Sequence, residues 1–146
     1  MRHVFSVARD SPILDSIGIG ETAYVCVHAN KLWNDSGIDV AWGQRYTFSV
    51  ARGEKWIGGQ STSGPDGYLP ARSVRLSKFL RRLPEARRFQ LIGAVGRSTK
   101  SAIIIGHQLP DFLVLFPGRL YLFANDLAWM YWNNEGMLAV RIKRTK

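Results

Sequence analysis

Residues 45–50 read Arg-Tyr-Thr-Phe-Ser-Val, an alternation of polar and large apolar side chains. Successive side chains of a β-strand point to opposite faces, so the three apolar residues of this stretch share one face. Residues 137–143, Met-Leu-Ala-Val-Arg-Ile-Lys, repeat the alternation and end with basic residues on the opposite face. The two segments therefore predict strands of a sheet that buries one side and exposes the other.

Further segments of this kind lie between clusters of Gly, Pro, Asn and Asp, which favour turns. The predicted strands cover residues 22–29, 45–51, 89–95, 102–106, 112–116, 119–124 and 137–143. Many short strands predict an all-β fold, a β-sandwich or jelly roll. A hydrophobic fraction of 46% in 146 residues is enough for one core, so we predict a single domain spanning residues 1–146.

The period-two spacing also predicts which residues face the core. They are Tyr46, Phe48, Val50, Leu91, Ile92, Ile103, Ile105, Leu120, Leu122, Leu138, Val140 and Ile142. One short helix is predicted over residues 73–83, where apolar residues fall near one side and Pro84 would end the helix.

The chain is basic, with 20 Lys and Arg against 11 Asp and Glu and a net charge of +9. Segment 72–88 is rich in these charges, and we predict that its basic residues form a surface. They are Arg72, Arg75, Lys78, Arg81, Arg82, Arg87 and Arg88. Such a surface suits an acidic protein or an anionic surface. Nucleic acid is a weaker hypothesis. Most aromatic residues lie in predicted strands or in loop 125–136, and they are therefore separated in the sequence from the arginine-rich segment.

Several classes of protein are disfavoured. No stretch has the roughly 18 apolar residues of a membrane helix, and residues 1–16 lack the apolar run of a secretory signal. We therefore expect a protein without membrane spans that is made in the cytoplasm, with release by a signal-independent route left open. The three histidines are scattered, and no nucleophile or acid–base constellation can be named, so we do not expect an enzyme.

Residues 125–136 read Asn-Asp-Leu-Ala-Trp-Met-Tyr-Trp-Asn-Asn-Glu-Gly and lie between two predicted strands. Asp126, Asn133 and Asn134 offer oxygen ligands that suit a hard cation such as Ca²⁺. The same residue types also favour simple turns, so both interpretations stand. Trp129, Tyr131 and Trp132 could stack on the apolar face of a sugar, or instead pack on the sandwich or on a subunit interface.

The stretch 118–136 resembles the PA-I-like galactophilic lectins of bacteria, in which Asn-Asp, a short spacer and Asn-Asn-x-Gly carry a bound calcium ion. Residues 43–50 with Trp56 are similar to the Gly-led strand and following Trp of that family. Residues 91–96 resemble its Leu-Ile-Gly-x-x-Gly strand, and residues 105–106 its next Ile-Gly. The resemblance covers about residues 33–144 and implies a galactose-binding-domain-like sandwich.

The resemblance also implies a set of site residues. Asp126, Asn133 and Asn134 would bind calcium through their side chains, and Met130 through its backbone carbonyl. A further carbonyl would come from loop 57–60, for which we take Gly59. Asp126 and Asn133 would also contact the bound sugar. The sequence departs from the family between residues 64 and 88, where the His and Gln of the family's sugar site are absent.

Two functional hypotheses follow. The first is a lectin-like protein that binds glycans with calcium as cofactor, galactose or a related sugar being the ligand that the resemblance implies. Assembly into a homo-oligomer would raise its avidity. The second is a metal-free accessory module that docks an acidic protein or anionic surface through segment 72–88.

Overall fold

A computed structural model of the chain describes residues 3–6, 16–69 and 79–146. Three predicted basic residues, Arg72, Arg75 and Lys78, lie outside the described residues. The described strands are β1 His3–Ser6, β2 Thr22–His28, β3 Asn34–Val40, β4 Arg45–Val50, β5 Trp56–Gly58, β6 Ser61–Ser63, β7 Asp66–Tyr68, β8 Arg88–Val95, β9 Ile103–Ile104, β10 Gln108–Leu113, β11 Gly118–Ala124, β12 Asn134–Glu135 and β13 Met137–Arg144.

The strands form two large sheets and one small one. The first large sheet has the order β1-β2-β13-β4-β10, and the second has the order β3-β11-β8-β7 with β9 also paired to β8. The small sheet has the order β12-β5-β6. Apart from the parallel pair β1–β2, the described pairings are antiparallel. This arrangement confirms the predicted all-β sandwich.

One apolar core is shared by the two large sheets. Val25, Phe48 and Val140 of the first sheet and Leu91 and Leu122 of the second belong to the same buried cluster. Every residue that we predicted to face the core is buried, and all of them except Ile92 belong to this cluster. Period-two alternation is therefore a sound guide to the inner faces of both sheets.

A second, smaller core lies on the outer face of the second sheet. It contains Ile92 and Phe123, and it is covered by Leu83 and Ala86 from the chain before β8 and by Trp33. Because Leu91 and Ile92 are neighbours in one strand, they point to opposite faces, and both are buried. Ile92 is thus buried outside the sandwich core, beneath a cover that the strand pattern alone does not show.

The predicted helix over residues 73–83 is wrong in the part that the structure describes, residues 79–83. Residues 79 and 80 lie in a 3₁₀ turn, and Arg81 forms an isolated antiparallel bridge with Leu127. The N–H of Arg82 donates to the carbonyl of Asp126 at 3.2 Å. The chain does not continue as a helix here because the backbone groups of Arg81 and Arg82 pair with the loop after β11, and that pairing outweighs the weak helical periodicity.

Two predicted strands differ in their bounds, and several short ones were missed. The strand predicted at 112–116 is found at Gln108–Leu113, and the one at 102–106 is reduced to Ile103–Ile104. The missed strands include Asn34–Val40, whose sequence of Asp, Ser and Gly resembles a turn. Within the described ranges, no helix has the length and apolar character needed to cross a bilayer.

Candidate functional site

The candidate site is the loop between β11 and β13, residues 125–136, and the segments that pack on it. Asn125 anchors the preceding basic segment through its fully buried side chain. Its Oδ1 accepts a hydrogen bond from the N–H of Leu83 at 3.0 Å, and its Nδ2 donates to the carbonyls of Leu83, Ala86 and Arg87. One amide side chain thus holds the cover of the outer core against the site loop. Sequence analysis placed Asn125 only in a turn and missed this role.

Asp126 is buried, with 1% of its surface exposed. Its Oδ1 accepts hydrogen bonds from the Leu127 N–H at 2.8 Å and from Arg88 Nε at 3.3 Å. Its Oδ2 accepts from Asn134 Nδ2 at 3.2 Å. A buried carboxylate needs such partners, and Arg88 provides the compensating positive charge. Arg88 therefore belongs to this site, which sequence analysis did not foresee.

Asn134 is the second buried polar residue of the loop, with 3% of its surface exposed. Its Nδ2 also donates to the carbonyl of Ala29 at 3.0 Å, whereas its Oδ1 is buried and has no hydrogen-bond partner among the described residues. A buried oxygen without a donor is unfavourable, and a cation can satisfy it. This orphaned oxygen beside the Asp126 carboxylate is the feature that fits calcium.

The other predicted calcium ligands belong to the site loop and to the 57–60 loop that pairs with it. Asn134 pairs with Gly58 in the β12–β5 register, which brings the 57–60 loop to the site loop. The Gly59 N–H donates to the Asn133 carbonyl at 3.2 Å, and a Cβ on Gly59 would lie 3.3 Å from Asn133 Nδ2. Met130 precedes the 3₁₀ turn Tyr131–Asn133, and its N–H donates to the Leu127 carbonyl at 2.9 Å.

Any cation held here would depend mainly on neutral oxygens. Asp126 is the only carboxylate among the predicted ligands, and in the described part of the chain no three His, Cys, Asp or Glu side chains gather into a metal-binding group. The calcium ligand set stays a prediction.

The basic surface predicted for segment 72–88 needs correction where it is described. Arg81 is buried, its guanidinium donates to the Pro84 carbonyl at 3.1 Å, and burial followed by the nearby charge of Arg88 lowers its pKa. Arg82 lies 3.7 Å from the ring centroid of Phe123 and 4.4 Å from that of Trp33. These cations pack on the outer core and the site loop instead of facing solvent, whereas Arg87 is exposed.

Tyr131 also departs from the prediction that it offers a platform to a sugar. It is 5% exposed, and its hydroxyl donates to the Ala124 carbonyl and accepts from Arg82 at 2.9 Å. Burial raises the pKa of Tyr131 to about 12, although the charge of Arg82 opposes this shift. Because the residue is a protonated, hydrogen-bonded support of the loop, its ring is not free to stack on a ligand.

Trp129 and Trp132 are exposed to solvent, in contrast to the buried Tyr131. They are 58% and 79% exposed, and they line an open groove of about 560 Å³. The groove is completed by Asn30, Lys31, Leu32, Trp33, Arg97, Ala128 and Tyr131. Its volume is in the range of small-molecule sites, and it combines aromatic faces with polar and cationic groups. The structure thus keeps two of the three predicted platform residues in position to contact a ligand.

Comparison with known proteins finds a likeness among solved structures. No protein-family model and no curated protein matches the chain. Among solved structures, the N-terminal domain of EclA, a PllA-like lectin, superposes with a TM-score of 0.63 at 20% sequence identity. The match covers 83% of this chain and 94% of that domain. At this identity the likeness establishes a shared fold, the sandwich of that lectin domain.

Proposed function

We propose that the protein is a lectin-like carbohydrate-binding protein without catalytic activity. The observation that carries this proposal is the groove beside Trp129 and Trp132, whose indole rings are exposed on a loop that is anchored by four buried residues, Asn125, Asp126, Tyr131 and Asn134. Exposing two large aromatic side chains on one loop is unfavourable in water unless a partner covers them. The apolar face of a pyranose ring is a suitable partner, and polar groups in the groove can bond its hydroxyls.

The fold supports the same function. The structural neighbour is described as a lectin, and its sandwich matches this chain over most of both lengths. In the described segments, Arg81, Arg82 and Arg88 are committed to internal contacts, which reduces the charge left for an acidic partner. The docking hypothesis for segment 72–88 is weakened accordingly, and we place glycan binding first.

We propose calcium as the cofactor, with galactose or a related sugar as the ligand. Asp126 and Asn134 would hold the ion with their side-chain oxygens, with Asn133, Met130 and Gly59 around them. A bound calcium ion would supply positive charge that fixes the loop and attracts sugar hydroxyls. Support comes from the buried Asn134 Oδ1, for which the described part of the chain provides no hydrogen-bond partner.

Arg88 competes with any such cation, because its guanidinium already neutralises Asp126 across 3.3 Å. Replacing it by a neutral residue should free the carboxylate and remove a repulsive charge. We expect Arg88→Gln to bind calcium about tenfold more tightly than the wild type, since a charge-assisted contact of this kind is worth about 1.5 kcal/mol. The measurement is the shift in melting temperature with increasing calcium concentration.

Two variants control this experiment. Arg87→Gln removes the same charge from the neighbouring exposed position and should leave the calcium dependence unchanged. Asp126→Ala should abolish it. A wild-type calcium response that persists in Asp126→Ala, or no response in either wild type or Arg88→Gln, would exclude calcium at this site.

A glycan microarray tests the function itself. We expect the fluorescently labelled protein to bind a defined set of glycans, more strongly in millimolar calcium than in chelator, and to be displaced by the free oligosaccharide. Glycan binding that persists in chelator would support carbohydrate binding and exclude calcium as a required cofactor. Failure to bind any glycan under either condition would contradict the proposed function.

A further inference from the structure

We propose that the groove selects acidic saccharides, meaning sugars that carry a carboxylate or a sulfate. This inference rests on the proposed function and names its ligand class. It is carried by two cations that flank the exposed indoles. Lys31 lies in the turn after β2, Arg97 lies in the turn after β8, and both are exposed and line the groove.

The charge of this groove has one sign. Its lining residues include Lys31 and Arg97 but no carboxylate. Among the acids near these lining residues in sequence, Asp35 and Asp39 pair with Arg119 at 3.3 Å and 2.6 Å, whereas the exposed Glu135 has no ion pair among the described residues. Asp126, within the loop itself, pairs with Arg88. Asp126 is thus neutralised, and Asp35 and Asp39 share one guanidinium and keep one negative charge between them, but none of these carboxylates lines the groove. In the described part of the chain neither Lys31 nor Arg97 has an ion-pair partner.

A further cation lies under the groove. The Arg82 guanidinium donates to the Leu32 carbonyl and to the Tyr131 hydroxyl, and it stacks on Trp33. All three of these partners line the groove. Its charge adds to the positive potential there, even though its donors are occupied.

Arg97 is also partly preorganised. Its guanidinium carbon lies 5.3 Å from the ring centroid of Tyr121, within the range of a cation–π contact. A guanidinium held in place can bind a carboxylate or sulfate through two parallel hydrogen bonds at a smaller entropic cost. With the sugar ring on Trp129 or Trp132, an anionic substituent would lie within the field of Lys31 and Arg97. The groove therefore complements an acidic sugar better than a neutral one.

The test compares matched glycans on one array, in one buffer of physiological ionic strength. Galactose-terminated oligosaccharides are compared with otherwise similar ones that end in galacturonate, and with a third group that carries 3-sulfated galactose. We expect the acidic glycans to bind at least about tenfold more tightly than the neutral one, as expected for one desolvated charge pair. Comparing the affinities for the galacturonate and the sulfated glycans shows whether the groove prefers a carboxylate or a sulfate.

Charge reversal locates the effect. Lys31→Glu and Arg97→Glu should weaken binding of the acidic glycans more than binding of the neutral one, and so remove the preference for acidic glycans. Arg52→Glu, at an exposed position in the turn after β4, makes the same change in net charge away from the groove and should keep the preference.

Each outcome has a distinct meaning. Neutral and acidic glycans bound equally by the wild type would overturn the acidic selectivity and leave carbohydrate binding intact. An acidic preference that Arg52→Glu removes as fully as Arg97→Glu does would show only attraction to the net charge of the protein, and would also overturn the inference. Absence of binding to all glycans would overturn both this inference and the proposed function.

Discussion

Gly58→Ala should destabilise the protein by about 3 kcal/mol, the upper range for forcing extra volume into a packed core. A Cβ on Gly58 would lie 2.0 Å from Cζ and 2.2 Å from Cε2 of the Phe89 ring. Phe89 is fully buried and is held between Trp56 and Tyr68. Its backbone is in the left-handed region with φ 63, and its N–H donates to the Asn125 carbonyl at 2.6 Å. The ring cannot retreat without breaking these contacts.

For a chain of this size, the loss of stability in Gly58→Ala should lower the melting temperature by roughly 10 °C. Gly64→Ala is the matched control, because a Cβ there would meet only the Glu54 carbonyl at 3.8 Å. A Gly58→Ala protein as stable as Gly64→Ala would mean that Phe89 does not pack against β5 as described. The change should also weaken the site, since Gly58 pairs with Asn134.

Trp129→Ala and Trp132→Ala should each weaken glycan binding about 30-fold, equivalent to about 2 kcal/mol, which is typical of an aromatic side chain at the centre of an interface. Both indoles are exposed, so their removal creates no cavity in the core. The melting temperature should therefore stay close to that of the wild type, and the loss can be assigned to the ligand contact. Isothermal titration with the best-bound oligosaccharide gives the dissociation constants.

Trp42→Ala is the control for these variants. Trp42 is 75% exposed but lies in the turn between β3 and β4, outside the groove. Its removal deletes the same apolar area from the surface and should leave glycan affinity unchanged. Equal losses in Trp42→Ala and Trp129→Ala would show that binding depends on general surface stickiness and not on the groove.

The sandwich core could be predicted from sequence because each strand carries its own evidence of burial. Phe48 and Val140 alternate with polar or smaller residues, and a period of two requires no knowledge of the partner strand. The site loop was also predictable in part. Asp126 and Asn134 are eight positions apart, and the loop that crosses from β11 in one large sheet to β13 in the other brings them together at 3.2 Å.

The rest depends on contacts between distant segments. Arg88 and Asp126 are 38 positions apart, and nothing near Arg88 in the sequence distinguishes it from the exposed Arg87. Arg82 packs against Phe123, and the strand pattern does not indicate which residues cover the Phe123 side chain. Basic residues at irregular spacing indicate a surface only when no acid or aromatic ring meets them in the fold.

The closest packing contact of the site region also could not be predicted from the sequence. Gly58 reads as a flexible loop residue, yet it lies in β5 against the ring of Phe89. Phe89 reads as an ordinary strand residue, yet its left-handed backbone turns the chain where β8 begins. Neither feature has a local signal, because each exists only when the β5 and β8 segments meet.

The central claim, that a sugar binds on the exposed indoles, is tested most directly by the side-chain N–H resonances of the five tryptophans in a ¹H–¹⁵N spectrum titrated with the best-bound oligosaccharide. The resonances of Trp129 and Trp132 should shift in a saturable way. Those of Trp42 and of Trp56, whose Nε1 is buried and donates to the Phe89 carbonyl at 3.1 Å, should stay in place. Saturable binding that leaves Trp129 and Trp132 unshifted would contradict the account.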